Sequence, residues 1–360
     1  MIFSALRVLM ILLLPALFGA CAKPTAADDF DDYLQRVARV VDADVPDWQA
    51  AGQQLIVSKY PGPKQRYLDT VESRVGLLDF LSLHDCGLLH LISERNSSLG
   101  KVMSDVARYY YEWLILRGLQ HCLSNENFKS DDDEIDSFHQ QLATVTDRKA
   151  AQINRHYWNA SWGNAVLPQF FSLAQPVFQR SEMSGFKTPA IEALEQYFSQ
   201  LPKPQPGEKV LDITETELSF FAASRKAEAL LQPLQYHYGG RVLKSLAYAT
   251  AALNAVTQLL QNRMDQLPLC YNRQPSRSAE VLQNVFIKYY VLQLQPFMSA
   301  LEKEAVYLEY ALGIGWANFQ EKHSDRAGPV VGFYEDYFAA HNKQRLLEQM
   351  RDASKRHASA

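Results

Sequence analysis

Apolar residues recur every three to four positions along most of this chain, the spacing of helices that bury one face. From Asp29 to Val45 the repeat runs through Phe30, Tyr33, Leu34, Val37, Val40 and Val41. Leu68–Glu94 is denser, and Val71, Val75, Leu78, Leu81, Leu88 and Leu89 predict one long helix buried on more than one side. Val102–Leu123 predicts an aromatic helix, carrying Tyr109-Tyr110-Tyr111 and Trp113. Asn164–Gln179 and Pro189–Gln200 predict two more, the second marked by Thr188 as cap and Pro189 at its first position. Gly239-Gly240 breaks the chain ahead of a long amphipathic helix reaching about Arg263. Its expected partner is Ser278–Tyr310, kinked at Pro296, and a charged helix closes the chain.

The breaks between these periods set the expected organisation. Tyr60-Pro61-Gly62-Pro63 reads as a turn or connector, and Asp131–Glu134 as an acidic helix start suited to the N-terminal dipole. Leu201–Glu208 holds three prolines at alternate positions, which favours an extended connector. Thr214–Glu217 has the form of a capping box that opens the second half. The expected architecture is therefore all-α, a two-lobed bundle of long antiparallel helices. Its lobes are residues 21–200 and 210–360, joined by 201–209.

The N-terminus departs from this amphipathic pattern. Arg7 precedes an unbroken apolar run from Val8 to Phe18, then Gly19-Ala20-Cys21. The run falls short of the roughly 20 apolar residues that a spanning helix needs, and it fits a secretory signal over residues 1–20. Gly19-Ala20-Cys21 resembles a lipobox, in which Cys21 is acylated and becomes the new N-terminus; Phe18 stands where such boxes usually carry Leu. Cleavage after the Ala20-Cys21-Ala22 pattern is the alternative, and it releases a soluble protein. With Ala22 in second place, the lipoprotein reading directs the protein to the periplasmic face of the outer membrane, held there by its lipid.

Composition narrows the classes. Loss of residues 1–20 removes only Arg7, leaving 35 basic against 40 acidic residues. That mild balance, without a basic patch, gives no reason to expect nucleic acid. Beyond Cys21 the cysteines are Cys86, Cys122 and Cys270. In an oxidising compartment one disulfide is expected. Cys86–Cys122 would close a loop of about 37 residues and stabilise by roughly 3–4 kcal/mol; Cys122–Cys270, or no bond, remain the alternatives. A simple helical hairpin leaves Cys86 and Cys122 some 16 Å apart, so the first pairing requires the connection to fold back.

Polar chemistry is densest between His84 and Lys101. His84, Glu94, Arg95, Asn96, Ser97 and Lys101 form the candidate ligand-binding group, with the basic and hydroxyl side chains suited to an anion at a helix start. The same residues also read as caps and turn closures. Zinc between His84, Cys86, His121 and Cys122 is disfavoured, because adjacent residues on a helix point apart and the compartment favours a disulfide. No nucleophile triad order, nucleotide-binding glycine loop or haem motif is present, so no catalytic residue, metal or cofactor is assigned.

The stretch LLDFLSLHDCGLLHLISERNSSLGK at 77–101, Cys122, VLQLQPFMSAL at 291–301 and the lipobox together resemble a family of uncharacterised lipoproteins of Gram-negative proteobacteria, a domain of unknown function. The resemblance implies an envelope location and a helical build, and carries no catalytic residues. The function it leaves is a non-enzymatic scaffold that binds an envelope partner protein. The alternative is a binder of a small-molecule or cell-wall ligand, with an enzyme acting on such a ligand behind it.

Overall fold

The computed structural model describes residues 24–71, 87–124, 133–204, 220–271, 274–318 and 327–360. The lipobox, Cys86, the expected capping box at Thr214 and the second half of the proline connector lie outside the described residues. What is described is an all-α multi-helix bundle, as the periodicity predicts.

The first helix, α1 (Ala26–Val41), starts where the Thr25 amide donates to the Asp28 carboxylate at 2.7 Å. Its apolar stripe of Phe30, Tyr33, Leu34, Val37, Ala38 and Val41 is buried. Each large side chain of such a stripe contributes about 1.5–3 kcal/mol on burial. Next come α2 (Trp48–Gln54), α3 (Pro63–Arg66), α4 (Leu89–Asn96), α5 (Ser98–Lys101), α6 (Asp105–Ser124), α7 (Asp133–Ala160), α8 (Leu167–Phe170) and α9 (Pro189–Gln200). α10 (Phe220–Ala229) leads through a short 3-10 turn to α11 (Tyr238–Gln266), the central helix, whose sides meet α1, α2 and the C-terminal helices. A helical rod of α12 (Arg277–Val285), a π-helical stretch (Phe286–Leu294) and α13 (Gln295–Ala317) follows, then α14 (Gly328–Tyr337) and α15 (Leu346–Ser359).

α1 packs on α11, α12 and the π-helical stretch, while α9 packs on α13. Buried side chains from both sides of the proline connector form one continuous apolar cluster. Its aromatic centre is Trp162, stacked on Phe198 at 5.4 Å and edge-on to Trp316 and Tyr334. The high aromatic content is thus largely core packing.

Four local expectations need correction. Of the helix predicted over Leu68–Glu94, residues 68–71 are not helical, residues 72–86 lie outside the described residues, and α4 starts at Leu89 after a turn in which Gly87 takes φ 68°. The helix predicted over Asn164–Gln179 is a single turn, α8. Pro168 and Pro176 limit it, and α11 satisfies the irregular backbone that follows. There Lys244 donates to the carbonyls of Leu173 and Gln175, Arg241 donates to that of Pro176, and Ser245 accepts from the Phe178 amide.

Gly239-Gly240 does not break the chain; it lies inside the first turn of α11. A Cβ on Gly240 would stand 2.1 Å from the Ser172 carbonyl oxygen, so the close approach of that backbone requires glycine. The break falls at His237, with φ 57°. At Pro296 the expected kink takes the form of a widened helix: the Gln295 amide reaches back five residues to the Tyr290 carbonyl. Pro296 itself has no N–H to bond Leu292. A two-stranded hairpin, Cys270–Tyr271 against Gln274–Pro275, was not anticipated.

Candidate functional site

Of the sequence-derived ligand group, His84 lies outside the described residues. The others sit at the α4–α5 corner and close it. Ser97 accepts from the Gly100 amide at 3.1 Å and donates to the Glu94 carbonyl at 2.6 Å. Arg95 donates to the Gly100 carbonyl at 2.8 Å. Asn96 and Lys101 are exposed and Glu94 is half-buried. The long helix α6 has its own cap, Ser104, whose hydroxyl accepts from the Ala107 amide at 3.0 Å. The corner therefore brings Arg95, Ser97 and Gly100 together by side chain to backbone bonds, and turns Asn96 and Lys101 to water.

Cys122 is buried in α6 and Cys270 is exposed with a free thiol, which removes the Cys122–Cys270 alternative. Cys86 and Cys21 lie outside the described residues. Among the described residues no group of three or more His, Cys, Asp or Glu side chains is placed to hold a metal ion. No helix there is long and apolar enough to cross a membrane. A cavity of about 10 Å³ between α11, α13, α14 and α15, lined by Val242, Leu246, Leu308 and Tyr337, is at the lower limit for one water.

Among the described residues, one strongly shifted carboxyl, Glu304, is not singled out by the sequence reading. Glu304, in α13, is 0% exposed. Its carboxylate faces the Tyr238 hydroxyl at the start of α11 and the hydroxyl and backbone of Thr188 at the start of α9. These groups approach without closing bonds of ordinary geometry, so both Glu304 oxygens, Thr188 Oγ1 and Tyr238 Oη are unpaired buried atoms. Burial pushes the Glu304 carboxyl up to about 7, against a smaller downward pull from the two hydroxyls. None of the ion pairs among the described residues includes it. A signal existed in the sequence: Glu304 interrupts the buried stripe Phe297, Leu301, Leu308 and Leu312 at helical spacing.

The segment Gln179–Thr188, which leads into α9, reaches this cluster at Thr188. Arg180 pairs with Asp29 of α1 at 2.7 Å. Glu182 takes a bidentate grip from Arg241 of α11 at 3.0 and 2.7 Å. The Cβ position of Gly185 lies 3.7 Å from Ala300 and Lys303 of α13. Lys187 reaches Glu195 at 2.5 Å.

On the outside of the same rod, Leu292, Pro296, Lys303, Val306 and Tyr310 are exposed at i, i+4, i+11, i+14 and i+18, which is one stripe of a helix. Leu292 is 67% exposed and Tyr310 60%. The contact of Gly185 with Lys303 sets the neighbouring Phe186, 77% exposed, beside the stripe. The sequence pattern pairs the Ser278–Tyr310 helix with the helix reaching Arg263 and points to no outer face.

No curated protein matches this chain, and no solved structure does either. One family does: its sequence model aligns with residues 30–360, which is nearly the whole described structure. The chain belongs to the family described as "Protein of unknown function (DUF3080)".

Proposed function

We propose that the protein is an envelope lipoprotein, held through acylated Cys21 at the periplasmic face of the outer membrane, which binds a partner protein on the outer stripe of its long C-terminal rod. The observation that carries the reading is the exposure of Leu292, Val306 and Tyr310 along one helix face, with Phe186 beside it. Large apolar side chains grouped on one face mark an interaction surface more often than scattered ones do. The polar corner at Arg95–Lys101 supports the ligand-binding alternative less, since Arg95 and Ser97 are engaged in closing their own turn. Disulfide pairing of Cys86 with Cys122 belongs to the same reading: Cys122 is buried, Cys270 is free, and Cys21 carries the lipid.

The test places a photo-crosslinking residue at Leu292 or Tyr310 in cells, with exposed Val57 as control. A discrete adduct from the stripe and none from Val57 is the expected result. Equal labelling at all three sites would refute the partner surface. Separately, Cys21→Ser should move the protein from the membrane to the soluble fraction, and unchanged partition would overturn the anchor.

A further inference from the structure

We infer that Phe186 and the adjoining end of the outer stripe, Lys303, Val306 and Tyr310, lie against the lipid bilayer, with the Phe186 ring at headgroup level. This orientation rests on the acylated Cys21 of the proposed function, and adds to it the side of the molecule that meets the membrane.

The tether sets the distance. Pro24 is exposed ahead of α1, and the Ala26 amide donates to the Phe178 carbonyl at 2.8 Å. Four residue steps separate Cys21 from Thr25, and even fully extended they span at most about 14 Å. Acyl chains in the outer membrane therefore keep the start of α1 that close to the headgroups.

The packing of α1 shows which residues share that level. α1 runs antiparallel to the rod: Arg36 lies over the Tyr289 ring at 4.2 Å, Tyr33 against Tyr290 at 6.1 Å and Phe30 against Phe297 at 6.5 Å. One turn earlier in α1 is Ala26, and one turn later in the rod is Leu301. The Cβ position of Gly185 lies 3.7 Å from Ala300 and Lys303, on that same turn. Phe297 and Ala300, at i and i+3, are neighbours on one face of α13. The tether exit and Phe186 thus stand at one height and on one side of the rod. Arg180, in the segment between Phe178 and Phe186, pairs with Asp29 of α1 at 2.7 Å.

The side chains suit a bilayer surface. Phe186 is 77% exposed, Tyr310 60% and Val306 40%. The Lys187 ammonium lies 5.6 Å from the centre of the Tyr307 ring. Aromatic rings beside lysine stems favour the zone between headgroups and acyl chains. Charge plays the smaller part, because Arg180, Lys187 and Arg241 are each met by a carboxylate, of Asp29, Glu195 and Glu182. The contact should therefore form on neutral lipid as well as on anionic lipid. Leu292 lies 11 residues before Lys303, about 16 Å along the rod, so that end of the stripe is left for a protein partner.

The test uses the acylated mature protein with a fluorescent amino acid at position 186, reconstituted in phosphatidylcholine vesicles with and without phosphatidylglycerol. Lipids bearing a nitroxide at the headgroup serve as quencher. Phe186 is exposed, so the replacement leaves the core untouched. Val102, 79% exposed just ahead of α6, which packs on α7 and α10, is the control position. Quenching at 186 severalfold that at 102, and similar in both lipids, is the expected result. Protein that does not stay with the vesicles overturns the anchor and this orientation with it. Protein that stays, with 186 quenched no more than 102, overturns the orientation alone, as does quenching that needs phosphatidylglycerol. In cells, a photo-crosslinking residue at 186 should label lipid; a discrete protein adduct there would assign Phe186 to the partner and overturn the bilayer contact.

Discussion

The hydroxyl of Tyr33, in the first helix, lies 3.0 Å from Nε2 of His357, three residues from the end of the chain. Tyr290 of the π-helical stretch stands edge-on to the same imidazole at 4.5 Å, so three distant parts of the sequence converge on one ring. His357 is 2% exposed, and burial pushes its pKa down to about 4.

Stability should therefore fall on the acid side. A histidine whose folded value lies below its unfolded value of about 6.5 contributes fully above that pH and loses its contribution as pH drops toward 4. The shift corresponds to about 3 kcal/mol. In urea titrations at about pH 7 and pH 4, His357→Phe should shrink the acid loss by that amount relative to wild type. An undiminished loss would show that His357 does not carry it. His156, also pushed down to about 4, acts in the same window, whereas Glu304 opposes both, because its burial costs more as pH rises from 4.5 to 7.

The first turn of α11 predicts a sharp contrast between glycines. Gly240→Ala drives a Cβ against the Ser172 backbone and should cost at least about 2 kcal/mol in unfolding free energy. Gly332, inside α14, has nothing within 4 Å of its Cβ position. Gly332→Ala should raise stability by up to about 1 kcal/mol through helix propensity. Equal effects would refute the close approach.

The α4–α5 corner separates a structural role from a binding role. Ser97→Ala removes a cap and should cost about 1 kcal/mol. Lys101→Ala, at an exposed position, should stay within about 0.5 kcal/mol. A large thermal effect of Lys101→Ala in chain purified from cells, absent in refolded chain, would point to a retained anion and restore the ligand reading.

The proposed Cys86–Cys122 bond has its own signature. Cys86→Ser should lower the melting temperature under oxidising conditions, with a loss of roughly 3–4 kcal/mol, and leave it unchanged in reductant. An equal loss in both would assign the effect to packing.

Helix class and several boundaries were legible because they depend on local chemistry. Pro189 fixed the start of α9 to the residue, and the stripe from Phe30 to Val41 marked α1. The stretch after Phe170 reads as a helix in the sequence because its apolar residues are buried without being helical. The side chains that permit this, Arg241, Lys244 and Ser245, lie some 70 positions away. Glu304 looked like an ordinary helix carboxylate, since only the packing of α9 and α11 against α13 reveals that its face is dry. The Arg95–Lys101 group drew attention by polarity, yet local bonds account for Arg95 and Ser97.

The packing of α1 also fixes an order of events. Every long element that covers it, α11, α12 and the π-helical stretch, comes after residue 237, and His357 closes its far side. A chain made from its N-terminus thus presents Phe30, Tyr33, Leu34 and Val37 long before their neighbours exist. The slow step in maturation should be the return of the C-terminal third onto the first helix, and a chain shortened by its last helix should leave that apolar stripe open to aggregation.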